Sequence, residues 1–270
     1  MSSVKTKLSR TKYRGVYNTI SVIVQALFIA VLVRSFLFQT FNIPSGSMIP
    51  TLLVGDYLIV SKFSYGYSKY SLSFNIKLWN DKEIKFVLPF SGRVFSSPPQ
   101  RGDVAVFKLP TDNETDYIKR VIGLPGDRIQ MIGGRLYIND RPVKRELVSD
   151  FRQKDGFGRV HRVRRYRETL ENGASYYTLD LYDGSPGDNT GVYVVPKGHY
   201  FMMGDNRDNS SDSRFFGCAH CVGYVPFENF IGRAKFIFFS HETAISLLKF
   251  WLWPSTIRWS RFFISLIPEP

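Results

Sequence analysis

At 270 residues, 44% hydrophobic and 22% charged, the chain holds enough apolar material for a sizeable core, which excludes a disordered tail. Its formal net charge of +13 is uneven, because Lys5, Lys7, Arg10, Lys12, Arg14 and Arg34 all precede residue 41 with no acidic residue among them. Such clustering suits anionic lipid or the control of membrane topology and argues against a nucleic-acid partner, which would want basic residues interleaved with stacking aromatics on one folded face.

Residues 1–15 are polar and basic, and Val16 to Val33 runs eighteen residues without a charge. At about 1.5 Å per residue, a helix extended to residue 38 spans roughly 27–34 Å, the thickness of a hydrocarbon core. A cleaved signal peptide would have a shorter apolar stretch and end in small residues, whereas this one ends Arg34-Ser35-Phe36-Leu37-Phe38. The reading is an uncleaved anchor over 16–38. Lys and Arg before it predict an N-terminus in the cytoplasm, with everything from about residue 39 exported.

Beyond the anchor, Phe41 to Leu52 holds Pro44-Ser45-Gly46-Ser47-Met48-Ile49-Pro50. Two prolines around a Ser-Gly-Ser turn stiffen the backbone and present a hydroxyl from a fixed loop, although an ordinary solvated turn has the same composition. Ser47 is read as a nucleophile. Gly55 to Gly66, Val104 to Leu109, Asp116 to Gly123, Pro196 to Met203, Val225-Pro226 and Gly232 to Ser240 read as strands, and Met131 to Asp140 as a hairpin. The fold predicted is mainly β: an antiparallel-sheet catalytic core (39–128 and 196–244) interrupted by an inserted β-rich lobe (129–195). An aromatic and cationic tail (245–270) suits a membrane interface or a packed terminal helix equally.

The strand Asp116 to Gly123 puts Tyr117, Lys119 and Val121 on one face and Ile118, Arg120 and Ile122 on the other, so one cation must lie beside apolar neighbours. Pattern alone does not say which. Arginine cannot lose its proton in a protein, whereas burial turns lysine into a usable base, which makes Lys119 the candidate; a lysine snorkelling to water at a strand end is the rival reading. His161, His199, His220 and His241 show no partnership with Ser47, and no Gly-x-Ser-x-Gly surrounds it, so a Ser-His-Asp triad is not expected. The two cysteines, in Cys218-Ala219-His220-Cys221, fit a local disulfide, a thiol pair or half of a metal site; no second pair completes a zinc set. A disulfide is expected if the domain lies outside the cytoplasm. No cofactor is expected.

Four blocks in order, Pro-Ser-Gly-Ser-Met-x-Pro-Thr-Leu (44–52), Gly-Asp-Tyr-Leu-Ile-Val-x-Lys (55–62), Asp-Tyr-Ile-Lys-Arg-Val-x-Gly-x-Pro-Gly-Asp (116–127) and Gly-Asp-Asn-Arg-Asp-Asn-Ser-x-Asp-Ser-Arg (204–214), resemble bacterial type I signal peptidases. The resemblance implies a membrane-anchored serine endopeptidase whose partners are the signal peptides of exported preproteins, with lipid and the secretion translocon nearby. It implies Ser47 as nucleophile, Lys119 as general base, Ser45 and the Ser47 amide as the oxyanion hole, Ser210 as the group orienting the Lys119 amine, and Asp212 with Arg214 as structural supports. Ile43, Met48, Leu52, Tyr117 and Ile118 would wall the pocket for the residue before the cut, and Phe41, Leu58 and Val106 the next, favouring Ala-x-Ala. A peptide adding as a strand beside Asp116 to Lys119 would present alternate side chains to them. The same resemblance leaves two rivals: a membrane-tethered binding protein without activity, and a Ser/Lys self-cleaving repressor, which would be cytosolic. Cys218 to Gly223 departs from the family pattern and is expected to be a disulfide-linked hairpin tip, dispensable for chemistry.

Overall fold

A computed structural model describes residues 2–72, 74–77, 83–86, 89–154, 160–242 and 253–268. Helix α1 (Ser2–Leu32) leads through a π-helical turn (Val33–Leu37) into strand β1 (Phe38–Asn42). Tyr17–Leu37 is apolar and long enough to cross a membrane, and nearly all of its side chains are exposed, as befits a segment without protein neighbours. The anchor expected over 16–38 is thus the later part of a helix begun at Ser2, and Phe38 already belongs to a strand. Lys62 ties the two together, its amide donating to Leu37 O and its amine to Ser35 O at 3.4 Å.

Strand β2 (Asp56–Ser61) occupies the first half of the run read as a strand from Gly55 to Gly66, and the rest is a turn. Both bounding glycines are in the left-handed region, where a Cβ at Gly55 would sit 2.1 Å from His241 O. Next come a hairpin of β3 (Phe74–Lys77) and β4 (Glu83–Phe86), then β5 (Val104–Lys108) and β6 (Asp116–Gly123). The inserted region contributes β7 (Arg128–Ile132), β8 (Arg135–Ile138), β9 (Arg141–Pro142), β10 (Lys144–Leu147), β11 (Phe151–Lys154), β12 (Val160–Thr169), β13 (Ser175–Asp180) and β14 (Tyr193–Val194). The chain then returns through β15 (His199–Met203), β16 (Tyr224–Pro226) and β17 (Phe230–Ser240). The fold is mainly β.

The main sheet has seven strands in the order β1-β2-β17-β5-β6-β15-β16, every pairing antiparallel. Strand β5 is buried along its whole length, which explains its unbroken apolar run, Val104 to Phe107. The β6–β15 pairing covers only Arg120, Val121 and Gly123, so among the described residues the outer edge of Asp116 to Lys119 carries no strand. The outer edge of β1 is likewise the end of the sheet.

Ile43, Met48, Leu52, Leu58, Val60, Val104, Val106 and Ile237 form the core beneath the Ser47 loop. The inserted strands share a second core with the main sheet, where Ile129, Met131, Leu136 and Tyr176 pack on Ile122, Phe201 and Met203. The described part of the tail packs against the sheet as short turns, α2 (Trp253–Thr256) and a 3-10 turn (Trp259–Arg261), and not as one long helix. There Arg261 donates to the buried Asp56 carboxylate at 2.6 Å and to Thr51 O at 2.9 Å, and Leu266 enters the core beneath the loop. Residues 245–252 of the expected tail lie outside the described residues.

Candidate active site

The loop between β1 and β2 is fixed from both sides. At its mouth Ile43 and Asp56 pair through Ile43 N to Asp56 O at 2.9 Å, with Gly55 N donating back to Ile43 O at 3.0 Å. Inside, Leu52 N donates to Met48 O at 2.9 Å, and Met48 and Leu52 are wholly buried. The polar stretch after β15 grips the same loop: Asn206 N reaches Ser47 O at 3.1 Å, Asn206 Nδ2 reaches Gly46 O at 3.0 Å, and Thr51 Oγ1 donates to Asp205 Oδ2 at 2.5 Å. Ser47 therefore sits on a backbone with little freedom to move.

Lys119 lies 72 residues away in sequence, and its Nζ is 2.7 Å from Ser47 Oγ, with both side chains buried. Among the described residues the amine has no carboxylate partner. Burial pushes its pKa down to about 8, against the pull of Asp212 and Asp205 and with help from Arg214. Its neighbour Arg120 is also buried, so both faces of β6 carry a covered cation where the alternation required only one. Arg120 is neutralised by a forked pairing to Asp205, Nε to Oδ1 at 2.8 Å and Nη2 to Oδ2 at 2.6 Å.

Asp212 and Arg214 pair as expected, Nε to Oδ1 at 2.8 Å and Nη2 to Oδ2 at 2.9 Å, and Gly204 N donates to the same carboxylate at 3.0 Å. Desolvation would raise Asp212, yet Arg214 and the other donors hold its pKa below the usual carboxylate range. Ser210 is buried near this pair, and among the described residues its Oγ makes no hydrogen bond to Lys119; its hydroxyl is instead one of the groups that lower the Asp212 pKa. It packs on Gly204, where a Cβ would stand 2.2 Å from Ser210 Oγ and 2.6 Å from Ser47 O.

A cleft of about 500 Å³ opens in front of the Ser47 and Lys119 pair. Its walls are the free edges of β1 and β6, and of the residues expected there Phe41, Ile43, Ser45, Val106, Asp116, Tyr117 and Ile118 line it. Met48, Leu52 and Leu58 do not; they are fully buried behind the wall, shaping it at one remove. Asn42, Pro44, Thr115, Asn209 and Ser211 also face the cleft and were not foreseen. Asn209 and Ser211 lie within the block 204–214 that the sequence did single out, so its spacing carried a usable signal. Ser45 is exposed, and among the described residues the Ser47 amide serves no other acceptor. No three His, Cys, Asp or Glu side chains among the described residues group as a metal site.

The arrangement supplies a hydroxyl, a neighbouring amine of lowered pKa, free donors and an apolar groove bounded by strand edges. Residues 16–239 match the family model for signal peptidase, peptidase S26. Signal peptidase I of Rickettsia typhi is 42% identical over 88% of this chain and 89% of its own length, and that of Rickettsia akari 41% identical over 88% of each. A signal peptidase I structure from Enterococcus faecalis, 24% identical, aligns over 51% of this chain and 97% of its own at a TM-score of 0.28, a likeness from which nothing is argued. By the span of the family match and the near-full-length identity to these relatives, the chain belongs to the signal peptidase family, peptidase S26, and is a hydrolase.

Proposed function

We propose that the protein removes signal peptides from exported preproteins as a Ser/Lys endopeptidase. The observation that carries this reading is the 2.7 Å contact between Lys119 Nζ and Ser47 Oγ in a site dry enough to lower the lysine pKa to about 8. At pH 7 to 8 a useful fraction of the amine is neutral. It accepts the Ser47 proton as Oγ attacks the scissile carbonyl carbon, and the charge arising on the carbonyl oxygen is met by the Ser47 amide and the Ser45 hydroxyl. The lysine then protonates the leaving amine. Water enters with Lys119 again as base, and the acyl ester on Ser47 is hydrolysed.

The substrate runs as an extended strand between the edges of β1 and β6, both of which offer unused backbone groups. Side chains at alternate positions point into the wall of Ile43, Ile118 and Val106, and its shallow depth selects small residues such as those of an Ala-x-Ala site. The apolar helix at the N-terminus tethers the cleft to the membrane, and the basic residues before it favour a cytoplasmic N-terminus with the catalytic part outside. A disulfide suits that compartment.

The test is cleavage of a purified preprotein by wild type, Ser47→Ala and Lys119→Ala. Both substitutions should abolish measurable cutting, with losses on the order of a thousandfold or more. Cutting by either at the wild-type rate refutes the mechanism.

A further inference from the structure

The loop that departs from the family pattern has a place beside the cleft. Cys218 and Cys221 are joined by a disulfide, and Cys221 N also donates to Cys218 O at 3.1 Å, so the segment is a closed turn. Its tip is exposed at Cys218, Ala219 and His220, while both feet are anchored: the Phe216 ring stacks on Tyr193, and Val222 is buried with Phe107, Leu109 and Val225.

What the closed turn offers its surroundings is two carbonyls. His220 O accepts from Ser211 Oγ at 2.6 Å, and Ala219 O accepts from Thr111 Oγ1 at 3.0 Å. These donors belong to two separate segments beside the cleft. Ser211 lines the cleft and lies between Ser210 and Asp212. Thr111 belongs to the turn joining β5 and β6, which is closed by Leu109 N to Thr115 O at 2.8 Å and by Asp112 Oδ1 accepting from the amides of Glu114 and Thr115. Thr115 lines the cleft, and Asp116 after it begins the free edge.

We propose that the Cys218–Cys221 turn is a strut of the substrate cleft, which holds the Ser211 wall and the β5–β6 turn at a fixed separation and so sets how tightly an extended peptide is gripped. An open four-residue tip would have to lose backbone freedom before its carbonyls could serve both segments. Closing the tip covalently removes most of that freedom in advance. Because the turn touches neither Ser47 nor Lys119, it acts on binding and leaves the chemical step alone. This inference rests on the proposed endopeptidase activity and deepens it.

The experiment measures kcat and KM for a preprotein with the full chain in detergent, comparing wild type with Cys218→Ala/Cys221→Ala, Thr111→Val and Ser211→Ala. The cysteine variant should raise KM by about fivefold to tenfold with kcat within twofold and an unchanged pH profile, and Thr111→Val should raise KM by about threefold to fivefold. Adding Thr111→Val to the cysteine variant should change KM little further, since both remove the same strut. Unchanged KM in both variants overturns the inference, as does a fall in kcat at constant KM. If the cysteine variant does not fold, Thr111→Val and Ser211→Ala decide alone. A wild type that cuts no faster than Ser47→Ala defeats the endopeptidase reading itself, an outcome distinct from a working enzyme whose KM ignores the turn.

Discussion

Lys119 and Arg120 are adjacent on β6, equally buried at 3% exposure, and end in opposite electrostatic surroundings. Arg120 has its charge cancelled by both oxygens of Asp205 and spends a further N–H on Gly102 O at 2.8 Å. Among the described residues the Lys119 amine meets only the hydroxyl of Ser47 at hydrogen-bond distance. One buried cation is thus stabilised as a charge and its neighbour is discouraged from carrying one, which is the condition a general base needs.

The first consequence concerns pH. With Lys119 held down to about 8, kcat/KM should rise as pH climbs through that value and the neutral amine becomes the dominant form. Stability should move the same way. Because the folded pKa lies below the unfolded one, the unfolded chain binds more protons between about pH 8 and 10.5, so stability increases across that window. Below it the burial penalty is present in full, about 3 kcal/mol at 1.36 kcal/mol per unit. Lys119→Met should therefore be inactive yet more stable than wild type at pH 7 by about 1–3 kcal/mol, with the gap closing towards pH 10.5. Thermal unfolding at several pH values checks this, and a gap that does not shrink with pH would contradict it.

Arg120 makes the opposite forecast. Arg120→Met leaves the Asp205 carboxylate buried, with Thr51 Oγ1 as its remaining side-chain donor, and should cost about 3–5 kcal/mol. Since Asp205 holds Thr51, activity should fall with stability. Adding Asp205→Asn to the arginine variant should restore part of the loss, because no charge is then stranded. Denaturant melts of the two variants decide it, and a double variant no more stable than the single one speaks against the stranded charge as the cause.

At Gly204 the late polar loop passes against the Ser47 loop with no room for a side chain. A Cβ there would stand 2.2 Å from Ser210 Oγ and 2.6 Å from Ser47 O, and the latter is backbone that cannot step aside. Gly204→Ala should cost about 1–3 kcal/mol and reduce kcat by at least tenfold through displacement of Ser47. Combining it with Ser210→Ala relieves only the side-chain contact and should restore little. Wild-type kcat in Gly204→Ala would show that the approach is looser than the geometry implies.

The strands of the main sheet other than β1 were legible because period-two alternation and bounding glycines mark them locally, as at Asp116 to Gly123, whereas most strands of the inserted lobe and the β3–β4 hairpin were not singled out. Strand β1 was not legible, since Phe38-Gln39-Thr40-Phe41-Asn42 is short, lacks strict alternation and becomes a strand only by pairing with Asp56 to Ser61. The burial of Arg120 was hidden for a similar reason: its partner Asp205 lies 85 residues away. The chemistry of the residues and the motif resemblance both pointed to Ser47 and Lys119, whose approach the fold alone makes visible. The resemblance also placed Met48, Leu52 and Leu58 at the pocket wall, while the sheet curls so that they pack behind it. The short separation of Cys218 and Cys221 left a disulfide open among other readings, but nothing in the sequence linked them to Thr111.

Val106 is the lining residue with which specificity can be changed without touching the chemistry. It sits on β5 opposite Ile118 on β6, lines the cleft, and is almost fully covered by the core beneath the loop. Val106→Ala removes two methyl groups at the floor of the apolar wall, opening room for a larger substrate side chain at a cost to stability of about 1–2 kcal/mol. Against a preprotein whose small residue at the contacted position is replaced by Val or Leu, the variant should gain about tenfold in kcat/KM relative to wild type. On the original substrate it should lose only a few-fold, because Ser47, Lys119 and the backbone edges are unaltered. A competition between the two preproteins in one tube reads the ratio directly. If the ratio stays at the wild-type value while both substrates are still cut, Val106 does not contact the substrate and the pocket must be built by the other lining residues.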